Sequence, residues 1–275
     1  MRIPIGEILG YLSVPQPEVS GPGPWPGVVV VHDAIGLSDD IRAITDRFAT
    51  AGYVALAPDL YSRGGMVRCV KAAFSQMYAG SGQAFDDLEA ARQALLSRGD
   101  ASGKVGVAGF CMGGGFALVA AARGFDASAP YYGELPKKPA ALDGACPVVA
   151  SFGKKDLILR GSAARLEGLL TEHNVPHDVK EYPDAGHSFA NRLPLRAAEP
   201  VDAHRRLRLP PRVQRGRLAP GAVVLRHAPG LTWPGLAWPL RVRGARRSSR
   251  RRRAGSATDR AGGTGGPART RRSQA

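Results

Sequence analysis

The sequence predicts an α/β protein with a mostly parallel β-sheet and helices on both faces. Short apolar runs alternate with helical segments along residues 1–192, which is the spacing of consecutive βαβ units. The run 104–119 (KVGVAGFCMGGGFALV) passes from an apolar strand through a glycine-flanked turn into a helix. Candidate reactive side chains follow several of the predicted strands, and chemistry in parallel sheets lies beyond the carboxyl ends of strands.

Periodicity and turn residues predict the individual elements. Residues 1–14 alternate weakly and predict a first strand or hairpin, whereas the prolines and glycines of 15–27 exclude a helix there. Residues 61–81 are predicted to form a loop with one short helix. Further strands are predicted at 28–31, 53–57, 105–110, 127–132, 147–152 and 177–182, and further helices at 39–51, 85–96 and 162–173.

Charge is distributed very unevenly along the chain. The net charge is +15, but residues 204–275 contain 19 Arg, no Lys and one acid, so they contribute +18 and leave −3 for residues 1–203. Low apolar content together with many arginines, prolines and glycines is typical of disorder. We therefore predict an α/β domain over 1–192 and a disordered or aberrant tail over 193–275.

Cysteine usage and hydropathy predict a cytoplasmic protein. The three cysteines, Cys69, Cys111 and Cys146, are an odd number without the spacing of a disulfide framework. No apolar run reaches the length of a membrane span, and the N-terminus lacks a signal-peptide core. No cluster has zinc spacing and no glycine-rich phosphate loop follows the first core strand, so neither a metal nor a cofactor is expected.

A cysteine occupies the turn between the central predicted strand and its helix. The pattern Gly109-Phe110-Cys111-Met112-Gly113 is that of a nucleophile elbow, with Cys in place of Ser. Asp156 and His187 follow the last two predicted strands, which gives the order nucleophile, acid, base. A thiol needs a neighbouring base, and the base needs an acceptor that fixes its tautomer. We therefore predict a Cys111-His187-Asp156 triad.

Two backbone N–H groups are expected to form an oxyanion hole beside this nucleophile. One belongs to Met112, the residue after the nucleophile, and the other to Ala34 in the loop after strand 28–31. The residues next to Ala34 have structural interpretations: Asp33 as a cap for the following helix, and His32 as support for the loop.

Six segments together resemble the dienelactone hydrolase family of α/β-hydrolases, over about residues 1–192. The resemblance implies an α/β-hydrolase fold and hydrolysis of a small ester or lactone through an acyl-thioester, with Cys111 as nucleophile, His187 as base and Asp156 as its orienting acid. It implies a small-molecule substrate and a monomer or weak dimer. The segments are 28–36, 58–61, 109–114, 131–133, 153–156 and 185–190.

Two positions differ from the family pattern. Where the family has a glutamate that holds the thiol until substrate arrives, this chain has Asp33, so the resemblance implies a thiol-gating role for Asp33. Where the family has an arginine for the substrate carboxylate, four residues after the histidine, this chain has Asn191.

Other interpretations remain open at this level. The basic tail favours a nucleic-acid-binding protein, although its lack of lysine and of interleaved aromatic residues argues against nucleic acid as a partner. An inactive hydrolase fold is a further alternative. A glutamine amidotransferase also uses a cysteine elbow, but this chain has Gly115 where that class has glutamine.

A frameshift is one explanation of the tail. Residues 206–230, back-translated with permitted codons and read one base later, can give GFGYHPECSEDAWRRVLSFFDTHL. That string has an apolar helical face and an acidic capping segment, as a helix closing the fold would have.

Overall fold

The computed structural model describes residues 1–192, which form one eight-stranded sheet flanked by helices. The predicted tail, its disorder and the frameshift hypothesis lie outside these residues. In chain order the elements are β1 (Arg2–Ile5), β2 (Ile8–Ser13), α1 (Pro17–Ser20), β3 (Trp25–Val31), α2 (Asp39–Thr50), β4 (Val54–Pro58), α3 (Gly65–Ala79), α4 (Gln83–Leu96), β5 (Ala101–Phe110), α5 (Met112–Ala120), β6 (Ser128–Tyr131), a 3-10 turn (Pro139–Leu142), β7 (Val148–Gly153), α6 (Ser162–Glu172) and β8 (His177–Tyr182).

The sheet has the strand order β1-β2-β4-β3-β5-β6-β7-β8. The first two strands form a hairpin that joins β4 antiparallel, and every later pairing is parallel. The predicted α/β fold with a mostly parallel sheet is therefore confirmed. Since β5 lies in the middle of the sheet, its carboxyl end has strand ends on both sides.

Two apolar clusters sandwich the sheet. Val28 and Val30 of β3 pack with α2 and α6 on one face, whereas Val29 and Val31 pack with α3 and α4 on the other. This alternation is the two-residue period of a strand that is buried on both sides. Helix α5 is buried along its whole length and contributes to both clusters.

Two sequence expectations were wrong. A single helical turn, α1, lies within 15–27, because Pro17 occupies its first position, where the missing N–H costs nothing and φ is already helical. The predicted loop at 61–81 is mostly the 15-residue helix α3. Only Ala73 and Met77 of α3 are buried. Its apolar residues nevertheless recur at helical spacing, as at Val70, Phe74 and Met77, so the sequence does contain a signal for this longer helix.

Close backbone contacts fix α5 against its neighbours. A Cβ added at Gly114 would lie 2.6 Å from the carbonyl oxygen of Tyr131 and 2.7 Å from the Cα of Gly133. Both obstacles are main-chain atoms at the end of β6, so neither can rotate away. The beginning of α5 is thus held directly against the backbone of the adjacent strand.

We expect Gly114→Ala to destabilise the protein by about 1–3 kcal/mol, the usual cost of overpacking. Gly168→Ala in α6 is the matched control, because nothing lies within 4 Å of its added Cβ and alanine is favoured over glycine in a helix by about 0.5–1 kcal/mol. Urea unfolding of the full chain measures both. Equal midpoints for the two variants would contradict the close packing of α5.

Candidate active site

Cys111 lies in a strained turn between β5 and α5. Its φ is +53° and its ψ is −115°, a conformation that costs a residue with a Cβ about 1–3 kcal/mol. A Cβ at Gly109 would come within 1.9 Å of the carbonyl oxygen of Gly113. A Cβ at Gly113 would come within 2.3 Å of the carbonyl oxygen of Val31. The glycines of the motif therefore let the strand, the helix and β3 approach closely enough to force the turn.

The three side chains predicted as a triad meet at the carboxyl edge of the sheet. His187 Nε2 lies 3.1 Å from Cys111 Sγ, and His187 Nδ1 lies 2.7 Å from Asp156 Oδ2. The other oxygen of Asp156 accepts the backbone N–H groups of Ile158 at 2.9 Å and Leu159 at 3.2 Å. Because a carboxylate can only accept, Nδ1 of His187 donates and Nε2 faces the thiol.

Main-chain hydrogen bonds hold the acid and the base together. The N–H of Lys154 donates to the carbonyl of Tyr182 at 3.0 Å, and that of Lys155 donates to the carbonyl of Ala185 at 2.8 Å. The turn after β7 is therefore fastened to the loop that carries His187. This places Asp156, only 2% exposed, against the imidazole.

The surroundings of His187 favour its charged form. The hydrogen bond to Cys111 raises the pKa of His187 to about 9, with a further contribution from Asp156, against the opposing effect of partial burial. The charged imidazole can therefore donate a hydrogen bond from Nε2 to the sulfur of Cys111, 3.1 Å away. Such a pair keeps sulfur nucleophilic and supplies a proton to a leaving group.

The two predicted oxyanion donors lie on segments that touch each other. Gly113, next to Met112, abuts the carbonyl oxygens of Val31 and His32 at the end of β3. The hydroxyl of Tyr61 lies 3.2 Å from the carbonyl oxygen of Ala34 and 3.7 Å from the sulfur of Met112. Within residues 1–192, no hydrogen bond uses the backbone N–H of Ala34 or Met112. Both N–H groups remain available for an oxyanion.

Asp33 makes contacts other than the one that thiol gating requires. One carboxylate oxygen accepts the N–H of Ile35 at 2.8 Å, and the other accepts the amide of Asn191 at 3.1 Å. Among the described contacts, the thiol of Cys111 is joined to His187 and not to Asp33. The gating role of Asp33 therefore stays a prediction without a supporting contact. Burial, with a contribution from Asp40, raises the pKa of Asp33.

Asn191 joins three parts of the site, which the sequence did not predict. Its amide nitrogen donates to Asp33 and, at 2.8 Å, to Asp40 of α2. Its amide oxygen accepts the hydroxyl of Tyr132. The ring of Tyr132 lies 5.2 Å from that of His187. In the sequence, position 191 stands out only as a departure from the family pattern, and no sequence signal points to the hydrogen-bond partners of Asn191.

Two other kinds of feature are absent from residues 1–192. No group of three or more His, Cys, Asp and Glu side chains is placed to hold a metal ion. No helix in this part of the chain has both the length and the apolar character needed to cross a membrane.

We expect His187 to titrate near pH 9 and, in Cys111→Ala, at a lower pH closer to the ordinary histidine value, because the largest cause of the shift is removed. NMR titration of the imidazole signals measures this, with His187→Gln to assign the signal. Cys146→Ala, which removes a half-buried thiol that packs among the apolar side chains of the core, is the control. An unchanged titration in Cys111→Ala would contradict the thiol–imidazole pair.

Known proteins are similar to this chain in sequence. The profile of the dienelactone hydrolase family matches residues 9–207. A Methylorubrum extorquens protein, provisionally named carboxymethylenebutenolidase, is 31% identical over 230 residues, covering 75% of this chain and 78% of its own. A Pseudomonas putida carboxymethylenebutenolidase is 31% identical over 186 residues, covering 61% and 76%.

A solved structure of a similar protein has the same fold. The crystal structure of a provisionally named dienelactone hydrolase from Klebsiella pneumoniae superimposes with a TM-score of 0.57 at 25% identity, covering 66% of this chain and 82% of its own. The family profile extends fifteen residues beyond the predicted boundary at 192. The resemblance drawn from the six sequence segments is confirmed, and the chain belongs to the dienelactone hydrolase family of α/β-hydrolases.

Proposed function

We propose that this hydrolase cleaves small esters or lactones by covalent catalysis, with Cys111 as the nucleophile. The observation that carries the proposal is the continuous line of hydrogen bonds from Cys111 Sγ to His187 and on to Asp156, at 3.1 and 2.7 Å. Membership of a family whose curated relatives are named carboxymethylenebutenolidases supports an ester or lactone as the substrate.

The first half of the reaction transfers the acyl group to sulfur. The thiolate of Cys111 attacks the carbonyl carbon, a C–S bond forms, and the carbonyl oxygen takes the negative charge. The N–H groups of Met112 and Ala34 stabilise that charge. The C–O bond then breaks, and Nε2 of His187 gives its proton to the departing oxygen. The products are an acyl-thioester and an alcohol, which stays tethered when the substrate is a lactone.

The second half of the reaction releases the acid. A water molecule attacks the thioester carbon while the now neutral His187 takes a proton from it. The C–S bond breaks, the carboxylic acid leaves, and the thiolate–imidazolium pair is restored. Asp156 keeps the proton on Nδ1 throughout, so that Nε2 is the nitrogen that exchanges protons with substrate and water.

The proposal extends to the catalytic domain, the oligomeric state and the location of the enzyme. All proposed catalytic groups lie within residues 1–192, and we propose these residues as the catalytic domain of a monomer or weak dimer. The reaction needs Cys111 in its reduced form, which a reducing cytoplasm maintains, and we propose a cytoplasmic location on that ground. No nucleic acid, metal or cofactor takes part in the proposed steps.

We expect Cys111→Ala to abolish hydrolysis of p-nitrophenyl acetate and of dienelactone, and Asp156→Asn to lower kcat by about 10³-fold or more, because the imidazole would lose its tautomer. Asp184→Asn is the control, since that carboxylate is exposed on the loop that carries His187 and pairs with Lys155 at 3.1 Å. Steady-state kinetics measure all three. Normal turnover by Cys111→Ala would refute the covalent mechanism.

The pH dependence follows from His187. Its pKa is raised to about 9, so the charged imidazole that protonates the leaving alcohol is lost as the pH rises through that value. For an alkyl ester, we expect kcat/KM to fall above pH about 9. For an activated ester with a p-nitrophenolate leaving group, kcat/KM should fall less, because that group leaves without a proton. Identical profiles for the two esters would contradict His187 as the acid.

A further inference from the structure

We propose that His32 and Tyr61 are positioning residues that aim the N–H of Ala34 at the substrate oxyanion. The proposal rests on the function proposed above, and it assigns a role to two buried side chains that the catalytic steps do not use. His32 is fully buried and Tyr61 is 4% exposed. Their rings pack edge to face with centroids 4.7 Å apart.

The contacts of His32 fix both its tautomer and its charge. Nδ1 lies 2.7 Å from the carbonyl oxygen of Asp33, which can only accept, so Nδ1 carries the proton. Nε2 receives the N–H of Leu60 at 3.2 Å, which can only donate, so Nε2 is unprotonated. Burial lowers the pKa of His32, in keeping with a neutral ring. His32 is therefore a fixed hydrogen-bond donor towards the peptide group between Asp33 and Ala34.

That hydrogen bond sets the direction of the N–H of Ala34. The peptide bond between Asp33 and Ala34 is trans, because the cis bond found in residues 1–192 is Gly23-Pro24. In a planar trans peptide the C=O and N–H point in opposite directions. The carbonyl of Asp33 is held by His32 and also by the N–H of Gly36 at 3.2 Å. The N–H of Ala34 must therefore point away from the His32 ring.

Tyr61 fixes the next peptide group. Its hydroxyl donates to the carbonyl of Ala34 at 3.2 Å, and burial raises the pKa of Tyr61, so the donor proton is retained. The same hydroxyl lies 3.7 Å from the sulfur of Met112. One side chain thus contacts both residues that are proposed to supply oxyanion donors.

A glycine makes room for this arrangement. Gly36 has a φ of +97°, and a Cβ there would lie 2.9 Å from the ring of Tyr61. The loop after β3 can therefore turn tightly and still pack on the tyrosine. If the donor of His32 were lost, one of the two restraints on the Asp33 carbonyl would be gone. A rotated peptide would then present a carbonyl oxygen, instead of an N–H, to the developing negative charge.

The test measures the function of the oxyanion hole independently of the reactivity of the nucleophile. Ester hydrolysis needs both, whereas alkylation of Cys111 by iodoacetamide displaces iodide at a saturated carbon and forms no oxyanion. We compare His32→Gln, whose amide can reach Leu60 but cannot reproduce the Nδ1 donor, with His32→Asn, whose amide nitrogen overlays Nδ1. Tyr61→Phe removes only the hydroxyl. Tyr11→Phe, whose hydroxyl contacts Asp46 away from the site, is the control.

We expect His32→Gln to lower kcat for an alkyl ester by about 10²-fold, the effect of losing one oxyanion donor, with KM nearly constant. Alkylation of Cys111 should stay within about twofold of wild type. His32→Asn should recover much of the wild-type kcat. Tyr61→Phe should lower kcat about tenfold and leave KM and the alkylation rate unchanged. Tyr11→Phe should match wild type in both assays.

Other outcomes would overturn the proposal. Unchanged hydrolysis in both His32→Gln and Tyr61→Phe would show that the loop needs neither side chain. A parallel loss of hydrolysis and alkylation would show that these residues only maintain the fold. If urea unfolding shows that His32→Gln is not folded, the rates of ester hydrolysis and of Cys111 alkylation in Tyr61→Phe decide the question. Failure of the proposed function itself would be recognised separately, by a wild-type protein that does not hydrolyse esters or a Cys111→Ala variant that does.

Discussion

The close approach of three backbone segments at Cys111 is the constraint on which the rest of the site depends. Gly109 and Gly113 bring the end of β5, the beginning of α5 and the end of β3 into main-chain contact. This contact forces a positive φ on Cys111, directly after the end of the central strand β5. The oxyanion loop adjoins the nucleophile for the same reason, because the atoms that Gly113 touches are the carbonyls of Val31 and His32.

Around this fixed turn, hydrogen bonds join loops that are far apart in the chain. His187 is held from one side by Asp156 and by main-chain bonds between the last two strands. Asn191, four residues later, reaches Asp33 in the oxyanion loop and Asp40 in α2. The proposed base, His187, and the loop that carries the proposed oxyanion donor, Ala34, are therefore positioned relative to each other as well as to the thiol. A site for charged intermediates needs this preorganisation, because groups already in place need not reorganise as charge develops.

Sequence reasoning predicted the features that depend on short-range chemistry. The elbow could be predicted because only glycine fits at positions 109 and 113, two residues on either side of Cys111. The parallel sheet could be predicted because strands buried on both faces are uniformly apolar. The length of α3 was missed although its apolar residues, such as Val70, Phe74 and Met77, recur at helical spacing. The positive φ of Tyr132 and the three contacts of Asn191 are set by tertiary packing, so local sequence carries no trace of them. The roles of Cys111, Asp156, His187, Met112 and Ala34 remain predictions that the geometry supports.

The central claim is that the acyl group passes through the sulfur of Cys111, and its most direct test is to trap that intermediate. The full-length protein is mixed with p-nitrophenyl acetate, quenched with acid during turnover, digested and analysed by mass spectrometry. The account predicts one acetyl group on the peptide that contains Cys111, lost again when the thioester is hydrolysed before quenching. An acetyl group on another side chain, or turnover without any acylated peptide, would contradict it.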